Sequence, residues 1–446
     1  MTFRPLYYFS KLLFNVTIRT YYRHIKVRGE ENLCPGKPVI IAMNHPNAFM
    51  DPIAFATVIG PEMNFLARGD VFTKWLTPIL KGVGIIPIYR LIDSGREGVQ
   101  KNDETFKIVT QYLKDRRYVI IFAEGISLQG RRLGNLKKGC ARIVLGAMET
   151  LDDNEILIVP VGMNYQNNPS KFRHRLFIDI GKPLTVKDYR SLYSENPAKG
   201  VNVLTSDLQK RMSETIVCIA DKSNDSLIEN IEEIYMEEFL EKQGQSRKHI
   251  EGAHNFSLSI TDKINKIYHT HPEKVDTLKS SIELYISKLK SYGIRDKLLR
   301  DKFLNLSQLG SVIFRTLTFV FLFPLWIVGL ITNYVPYFIC WKSPAKFTKD
   351  IEWYAAISGV VGSFVFLLYH LLQFTLVGLF FKDTLVLTSF ISITLLSGWF
   401  SLHFSPFRKK LLGSIRLYRL RKNNTQFQLL LESRRKIIDD INKLLN

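Results

Sequence analysis

Apolar and polar residues alternate along the chain in more than one way, and each pattern predicts a different kind of structure. Between residues 36 and 184, short apolar runs rich in β-branched residues are separated by stretches with helical periodicity. This alternation indicates an α/β sandwich with a largely parallel sheet. The predicted strands are Val39–Met43, Met63–Ala67, Gly84–Tyr89, Tyr118–Ala123, Ile156–Gly162 and Arg175–Ile180. Helical patterns such as Asp103–Lys114 and Lys138–Leu151 lie between them.

Three long apolar runs near the carboxyl end predict helices that insert into a membrane. They are Val312–Cys340, Ala355–Phe381 and Thr384–Phe404, and a run of about 20 apolar residues is enough to cross a hydrocarbon core. The second and third runs are expected to form a true hairpin joined at Lys382–Asp383. The first run is interrupted by charged, amide and proline residues. We expect it to form a kinked or re-entrant hairpin that keeps residues 341–354 and the tail on the same face as the α/β part.

These patterns divide the chain into five parts. The first part holds a basic, aromatic-rich helix. It is expected to lie in the membrane interface, to pack on the next domain, or to do both. Basic residues just after the last apolar run are typical of a cytoplasmic face. The parts are an N-terminal helix (1–34), an α/β domain (35–184), a polar helical insert or spacer (185–310), a transmembrane region (311–404) and a basic amphipathic tail (405–446).

The charge of the chain limits its partners. It has 61 Lys and Arg against 41 Asp and Glu, a formal net charge of +20. Such an excess favours an anionic partner, which is a nucleic acid, an anionic lipid headgroup or a phosphorylated substrate. The cysteines are far apart and lack the spacing of a metal site, so neither a disulfide framework nor a zinc site is predicted. They are Cys34, Cys140, Cys218 and Cys340.

A histidine and an aspartate follow the first predicted strand. His45 comes two residues after Met43, and Asp51 lies six residues further on. An imidazole takes up a proton near neutral pH, and a nearby carboxylate fixes its tautomer and stabilises the imidazolium. The chain has no Gly-x-Ser-x-Gly motif that would supply a serine nucleophile. The pair therefore predicts a general base, His45, oriented by Asp51, that acts on a hydroxyl of the substrate.

Three later segments end strands with residues suited to a phosphorylated polyol. Arg90 follows the strand that ends at Tyr89, and its fork of donors matches a phosphate. Glu124 and Gly125 follow another strand, where a carboxylate can accept from hydroxyls and a glycine permits close approach of the backbone. Arg131 and Arg132 come shortly after them. The last segment contains Pro160 inside a strand, which predicts an edge strand or a bulge.

Together, in this order and spacing, the four segments resemble the glycerolipid acyltransferase superfamily, which includes lysophosphatidate and glycerol-3-phosphate acyltransferases. That family has His-x4-Asp, then a strand ending in Arg, then Phe-Pro-Glu-Gly, then a Val-Pro strand. The resemblance covers roughly residues 35–185. It identifies the α/β part as an acyltransferase domain and implies the corresponding sandwich fold, followed here by a helical segment and a C-terminal helical membrane domain.

The chain departs from that pattern at three points. The spacing between His45 and Asp51 is one residue longer, Ala123 stands where Pro is usual, and Ile126-Ser127 stands where Thr-Arg is common. Arg131 or Arg132 is expected to replace the missing arginine. We expect the extra residue to lie in the turn at Pro46-Asn47, so that the His and Asp side chains still face one cleft.

The longer spacing resembles one branch of the family, the eukaryotic-type glycerol-3-phosphate/dihydroxyacetone-phosphate acyltransferases. Their first block reads His-Ala-Asn-Gln-Phe-Val-Asp-Pro, which His45–Pro52 matches in length. The run from Lys171 to Arg175 is similar to the Lys-Phe-Arg-Ser-Arg of that branch. The resemblance therefore implies glycerol-3-phosphate, rather than lysophosphatidate, as the acyl acceptor.

The resemblance also implies the reaction and its partners. An acyl thioester, either acyl-CoA or acyl-carrier protein, donates a fatty acyl group to the sn-1 hydroxyl of glycerol-3-phosphate or dihydroxyacetone phosphate. No cofactor, metal or nucleic acid is expected, whereas membrane lipids are. The protein is expected to be an integral membrane protein with its catalytic domain on the cytoplasmic face. Two alternatives stay open: a 1-acylglycerol-3-phosphate acyltransferase that makes phosphatidic acid, and a non-catalytic membrane protein that binds anionic lipid.

Overall fold

The computed structural model describes residues 4–90, 95, 100–151, 155–166, 171–245, 249–300 and 308–445. The chain forms two compact units. The first comprises Met1–Cys218 and Pro344–Ser363, and the second comprises Ile219–Ser343 and Phe364–Asn446. The first unit contains the sheet and the candidate active site, whereas the second is helical.

The first unit is built around a sheet of eight strands. They are β1 (His24–Arg28), β2 (Val39–Met43), β3 (Met63–Arg68), β4 (Ile85–Ile88), β5 (Tyr118–Phe122), β6 (Leu157–Tyr165), β7 (Arg175–Ile180) and β8 (Leu184–Thr185). The order across the sheet is β1-β7-β6-β2-β5-β3-β4, and β8 pairs with β6. All neighbouring strands are parallel except β6, which is antiparallel to β7 and β8. The prediction of a largely parallel α/β sandwich is confirmed.

Helices cover both faces of this sheet. They are α1 (Pro5–Tyr21), α2 (Met50–Val58), α3 (Thr77–Gly82), α4 (Asn102–Lys114), α5 (Gly139–Thr150), α6 (Arg190–Glu195) and α7 (Pro197–Thr215). Alternate residues of β2 point to opposite faces, as the two-residue period of a strand requires. Ile40 and Ala42 pack in the cluster that contains α4, α5 and α7, and Ile41 and Met43 pack in the cluster that contains α1 and α2.

The first unit extends further along the chain than the predicted α/β domain, which ended at residue 184. Leu204, Leu208 and Met212 of α7 are buried in the core of the sheet. They follow the helical spacing of an apolar face. Residues up to 218 therefore belong to the unit that carries the candidate active site.

The strand that contains Pro160 is central, so the prediction of an edge strand or a bulge was wrong. On one side β6 pairs with β2, and Pro160 lies opposite Ala42. On the other side β6 changes partner, because its ladder with β8 ends at Ile158 and its ladder with β7 begins at Val161. Pro160 lies in the gap between these two ladders. A residue without an N–H group is tolerated there because no partner strand needs its hydrogen bond.

The soluble part of the second unit combines two segments that are distant in sequence. Residues 219–300 form α8 (Asp225–Ile234), α9 (Met236–Lys242), α10 (Ile250–Thr270), α11 (Pro272–Ser291) and α12 (Asp296–Leu299). The last helix, α16 (Asn424–Leu445), packs in the same hydrophobic cluster through side chains such as Leu430 and Ile441. The polar insert and the basic tail, predicted as separate parts, thus share one core.

Among the described residues, three helices are long and apolar enough to cross a membrane. They are α13 (Gln308–Phe347), α14 (Tyr354–Phe381) and α15 (Thr384–Lys422). The helices α14 and α15 are joined by the predicted turn at Lys382-Asp383, where the Asp383 carboxylate accepts from the Leu385 N–H at 2.7 Å. That they cross a membrane as a hairpin stays a prediction. The predicted hairpin within the first apolar run was wrong, because α13 is one continuous helix of 40 residues. Prolines are tolerated in such helices where neighbouring groups satisfy the freed carbonyls.

Candidate active site

The first two candidate residues lie at the carboxyl end of β2, in the middle of the sheet. Met43 ends the strand, and α2 begins at Met50 with Asp51 in its first turn. The connecting turn is closed by a hydrogen bond from the Met50 N–H to the Asn47 carbonyl at 2.9 Å. Ala48 adopts a positive φ of 40° there. The turn before the helix therefore accommodates the longer spacing.

The turn brings His45 and Asp51 together. Their Nδ1 and Oδ2 atoms are 3.0 Å apart. Asp51 is fully buried, and its Oδ2 also accepts from the backbone N–H of Asn47 at 2.8 Å. A carboxylate facing Nδ1 favours the tautomer that carries its proton on that nitrogen. Nε2 is then the ring atom that takes up a proton, and the imidazole, 19% exposed, is accessible to a substrate.

The strand β5 and the loop after it hold the imidazole in place. The ring of Phe122 stacks on that of His45 with centroids 3.9 Å apart and planes inclined by 22°. The His45 carbonyl accepts from the Ser127 hydroxyl at 2.9 Å and from the Leu128 N–H at 3.0 Å. Ser127, which stands where arginine is common in the family, thus fixes the histidine turn.

Glu124 is tied into the same region. Its carboxylate is 2% exposed and accepts from the backbone N–H groups of His45 at 3.1 Å and Gly134 at 2.7 Å, one on each oxygen. Burial raises the pKa of Glu124, although these two hydrogen bonds oppose the shift. In this structure Glu124 joins the His45 turn to the loop that follows β5. Its contact with a glycerol hydroxyl stays a prediction.

The arginine after β4 lies next to the same loop. Arg90 donates to the carbonyl of Gly125, a residue with a positive φ of 70°. The chain is fixed just before Arg90 because the Tyr89 N–H and carbonyl both bond to the side chain of Asn102. A guanidinium carries several donors in a planar fork, a shape that matches a phosphate.

The other two arginines lie in the loop between β5 and α5. Arg131 donates to the carbonyl of Gln166, the residue after β6, and Arg132 lies beside Gly130. All the predicted site residues therefore follow the carboxyl ends of β2, β4 and β5, the edge at which open α/β sheets bind ligands. Within the described residues, no group of three or more His, Cys, Asp or Glu could hold a metal ion.

Sequence reasoning missed two tyrosines behind the dyad. The Tyr165 hydroxyl donates to Oδ1 of Asp51, and the Tyr22 hydroxyl accepts from the side chain of Asn47 at 3.1 Å. A signal existed for Tyr165, because it ends the Val-Pro strand at the same sheet edge as His45. Tyr22 gave none, since it follows α1, outside the four recognisable segments.

Comparisons with known proteins find similarity to acyltransferases. Residues 24–164 match the family model described as Acyltransferase. Glycerol-3-phosphate O-acyltransferase 1 of Saccharomyces cerevisiae is 26% identical over 353 residues, 71% of this chain and 43% of that protein. Glycerol-3-phosphate O-acyltransferase 2 of the same yeast is 30% identical over 125 residues, 28% of this chain and 16% of that protein. This chain thus spans less than half the length of either yeast relative.

Two further similarities concern acyltransferases that act on a different acceptor. A probable 1-acyl-sn-glycerol-3-phosphate acyltransferase of Mycoplasma pneumoniae is 24% identical over 213 residues, 43% of this chain and 74% of that protein. The solved structure of the 1-acyl-sn-glycerophosphate acyltransferase PlsC of Thermotoga maritima covers 46% of this chain and 84% of its own, at 16% identity and a TM-score of 0.31.

The His–Asp pair and strands β1 to β5 lie within residues 24–164, which match the Acyltransferase family model. The chain is thus similar to glycerol-3-phosphate O-acyltransferases and to a probable 1-acyl-sn-glycerol-3-phosphate acyltransferase.

Proposed function

We propose that this protein is a membrane-bound O-acyltransferase that acylates the sn-1 hydroxyl of glycerol-3-phosphate or dihydroxyacetone phosphate. The observation that carries the proposal is the 3.0 Å contact between His45 and the fully buried Asp51 at the centre of the sheet edge. The similarity to glycerol-3-phosphate O-acyltransferase 1, which extends over 71% of the chain, supports the choice of acceptor.

The reaction follows from the geometry of the dyad. Nε2 of His45 removes the proton from the acceptor hydroxyl, and the oxygen attacks the carbonyl carbon of the acyl thioester. The tetrahedral intermediate collapses, the carbon–sulfur bond breaks, and the departing thiolate takes the proton from His45. Asp51 stabilises the imidazolium between these two steps, as a carboxylate does in related acid–base pairs. The products are an ester and a free thiol.

The test of the proposal is release of that thiol by the purified protein. Acyl-CoA should give free CoA only when an acceptor is present, and glycerol-3-phosphate and dihydroxyacetone phosphate should be the effective acceptors. A non-catalytic protein that binds anionic lipid would give no thiol with any acceptor. Acyl-carrier protein in place of acyl-CoA separates the two possible donors in the same assay.

A second candidate function is acylation of 1-acylglycerol-3-phosphate to phosphatidic acid. It is favoured by the relative from Mycoplasma pneumoniae, because this chain covers 74% of that protein. Adding 1-acylglycerol-3-phosphate to the acceptor panel distinguishes the two. A higher kcat/KM for this lipid than for glycerol-3-phosphate would favour the second function.

Arg90 provides a test of phosphate recognition. In Arg90→Ala we expect kcat/KM for glycerol-3-phosphate to fall about 10- to 100-fold, or roughly 1.5–3 kcal/mol, because a hydrogen bond between two charged groups is lost. The KM for the acyl donor should change much less. The matched control is Arg211→Ala, since Arg211 is half-exposed on α7 and forms a surface ion pair with Glu214. Equal weakening for donor and acceptor would show that Arg90 only supports the Gly125 loop.

The N-terminal helix supports attachment of the first unit to a membrane. One face of α1 packs on the unit, where the Tyr7 hydroxyl accepts from the Met63 N–H at 3.0 Å. The opposite face leaves Phe9, Leu12 and Val16 more than half exposed. Trp75, just before α3, is 85% exposed. Such an apolar face beside basic residues is typical of a helix that lies in a membrane interface.

The compact units support one orientation of the membrane segment. Pro344–Ser363 belong to the same unit as residues 1–218. Residues from Leu417 onward share a hydrophobic core with residues 219–300. We infer that α14 and α15 cross the membrane and return, so that the residues just before α14 lie on the same face as the C-terminal tail. The basic tail assigns that face to the cytoplasm.

Cysteine labelling in sealed membranes tests this orientation. In a background without the native cysteines, Lys346→Cys should react with an impermeant maleimide from the same face as Lys199→Cys, which lies on the exposed surface of the first unit. Lys382→Cys, in the turn between α14 and α15, should react only from the opposite face. Reaction of Lys346→Cys from the face of Lys382→Cys would mean that α13 crosses the membrane completely.

A further inference from the structure

We propose that Tyr165 is a positioning residue that holds Asp51 against His45, and that the ring of Tyr22 packs against Tyr165 and supports it. The inference rests on the proposed function, because it assigns a role within the same site. Tyr165 is the last residue of β6, which lies directly beside β2 in the sheet. Tyr22 directly follows α1. Their side chains are 5% and 1% exposed, and their ring centroids are 5.7 Å apart.

The contacts of Asp51 show why a third group is needed. Oδ2 accepts from the Asn47 N–H and faces Nδ1 of His45, so two bonds hold one oxygen. Oδ1 receives the hydroxyl of Tyr165. A carboxylate held at only one oxygen can rotate about its carbon–carbon bond, whereas one held at both oxygens keeps a fixed plane. The Tyr165 hydroxyl thereby fixes the direction from which Asp51 meets the imidazole.

The direction of the Tyr165 hydrogen bond is defined by chemistry. An ionised carboxylate only accepts, so the phenol donates. Burial, followed by the negative charge of Asp51, raises the pKa of Tyr165 well above its usual value. Tyr165 therefore keeps its proton throughout the pH range in which an imidazole titrates. Burial likewise raises the pKa of Tyr22, whose ring packs against that of Tyr165.

Removing this donor should change how strongly Asp51 favours the imidazolium. The titratable side chains that face the dyad are Tyr165 from β6, Tyr22 from the end of α1 and Glu124 from the end of β5. The Tyr165 O–H disperses part of the negative charge of Asp51. Without it, the full charge acts on His45, and the protonated ring is stabilised. Protonation then persists to higher pH, where the base form is needed for catalysis.

The experiment is Tyr165→Phe, which removes one oxygen and keeps the ring. We expect kcat to fall about 10- to 100-fold, as loss of a hydrogen bond to a charged group does. The KM values should stay nearly constant, and the acidic limb of the pH profile of kcat/KM should move to higher pH. Tyr22→Phe should produce a smaller shift in the same direction. The matched control is Tyr118→Phe. The buried Tyr118 hydroxyl has no hydrogen-bond partner in this structure. Tyr118 is the first residue of β5, so it lies at the amino ends of the parallel strands, away from the dyad.

A direct titration separates this inference from the proposed function. In protein labelled with ¹³Cε1-histidine, the signal of His45 is assigned by its absence in His45→Gln. Its titration midpoint should move to higher pH in Tyr165→Phe and stay constant in Tyr118→Phe, whether or not any acceptor is acylated. An unchanged midpoint and an unchanged pH profile in a folded Tyr165→Phe protein would overturn the inference. A shifted midpoint in a protein that releases no thiol would support it and count against acyl transfer.

Discussion

His45→Ala is expected to abolish acyl transfer while the fold and the binding of acyl-CoA stay nearly intact. A general base contributes about 10²–10⁴-fold to a rate, and loss of the group that positions the hydroxyl adds to this. The fold should tolerate the change, because the imidazole is partly exposed and lies on the ring of Phe122 rather than within the core. Release of free thiol from acyl-CoA in the presence of glycerol-3-phosphate measures the loss.

The comparison requires proof that the variant is folded. Thermal unfolding and equilibrium binding of acyl-CoA should match those of the wild type within error. His269→Ala is the control, since His269 lies exposed on α10 in the other unit and should keep full activity. Near-normal turnover by an intact His45→Ala protein would contradict the assignment of His45 as the general base, whatever family the domain belongs to.

The dyad could be predicted from the sequence because its members are close along the chain. His45 and Asp51 are separated by one turn, and only the position of the extra residue had to be inferred. Arg90 and Glu124 could be predicted for a related reason: each directly follows an apolar strand, and parallel strands bring their carboxyl ends to one edge. Strand β2 was predicted to the residue, since Pro38 and Asn44 bound an unbroken apolar run.

Contacts that depend on the order of strands could not be predicted. Tyr165 reaches Asp51 across 114 residues of sequence, and it does so only because β6 lies directly beside β2. No local sequence pattern shows which strands are neighbours in the sheet. Strand β1 was missed for a different reason. It lies at the sheet edge, where the exposed His24 and Lys26 alternate with Ile25 and Val27, so its short sequence lacks the apolar run that marks a central strand.

The helical unit shows the same limit. The pattern predicted amphipathic helices for the insert and for the tail, and both are present. It could not show that their apolar faces meet in one core, because an amphipathic face does not specify its partner. The prolines of the first apolar run predicted a break, whereas α13 continues through them.

A buried charged cluster joins the helices of residues 219–300 to the C-terminal helix α16. Asp296→Ala is expected to weaken the packing between them strongly. Asp296 is fully buried on α12. Its carboxylate accepts from the Tyr285 hydroxyl at 2.6 Å and from Nε of Arg434, on α16, at 2.8 Å. Nε of Arg300 is 3.1 Å from its other oxygen. Both arginine side chains are only 11% exposed. Removing the carboxylate takes away the counter-charge that they share and leaves each with one glutamate, Glu237 for Arg300 and Glu238 for Arg434.

Breaking a buried ion pair by removing one partner typically costs about 3–5 kcal/mol, whereas an exposed pair contributes about 0–1 kcal/mol. Asp262→Ala is therefore the matched control, since Asp262 pairs with Lys266 on the surface of α10. We expect Asp296→Ala to lower the midpoint of thermal unfolding of the full-length protein and to make α16 sensitive to protease, whereas Asp262→Ala should change neither. If both variants unfold alike and protect α16 equally from protease, the cluster does not hold α16 in place.

Because the dyad lies in the other compact unit, turnover measured well below the unfolding midpoint should be retained. The loss of stability in Asp296→Ala would then be separable from a loss of catalytic activity.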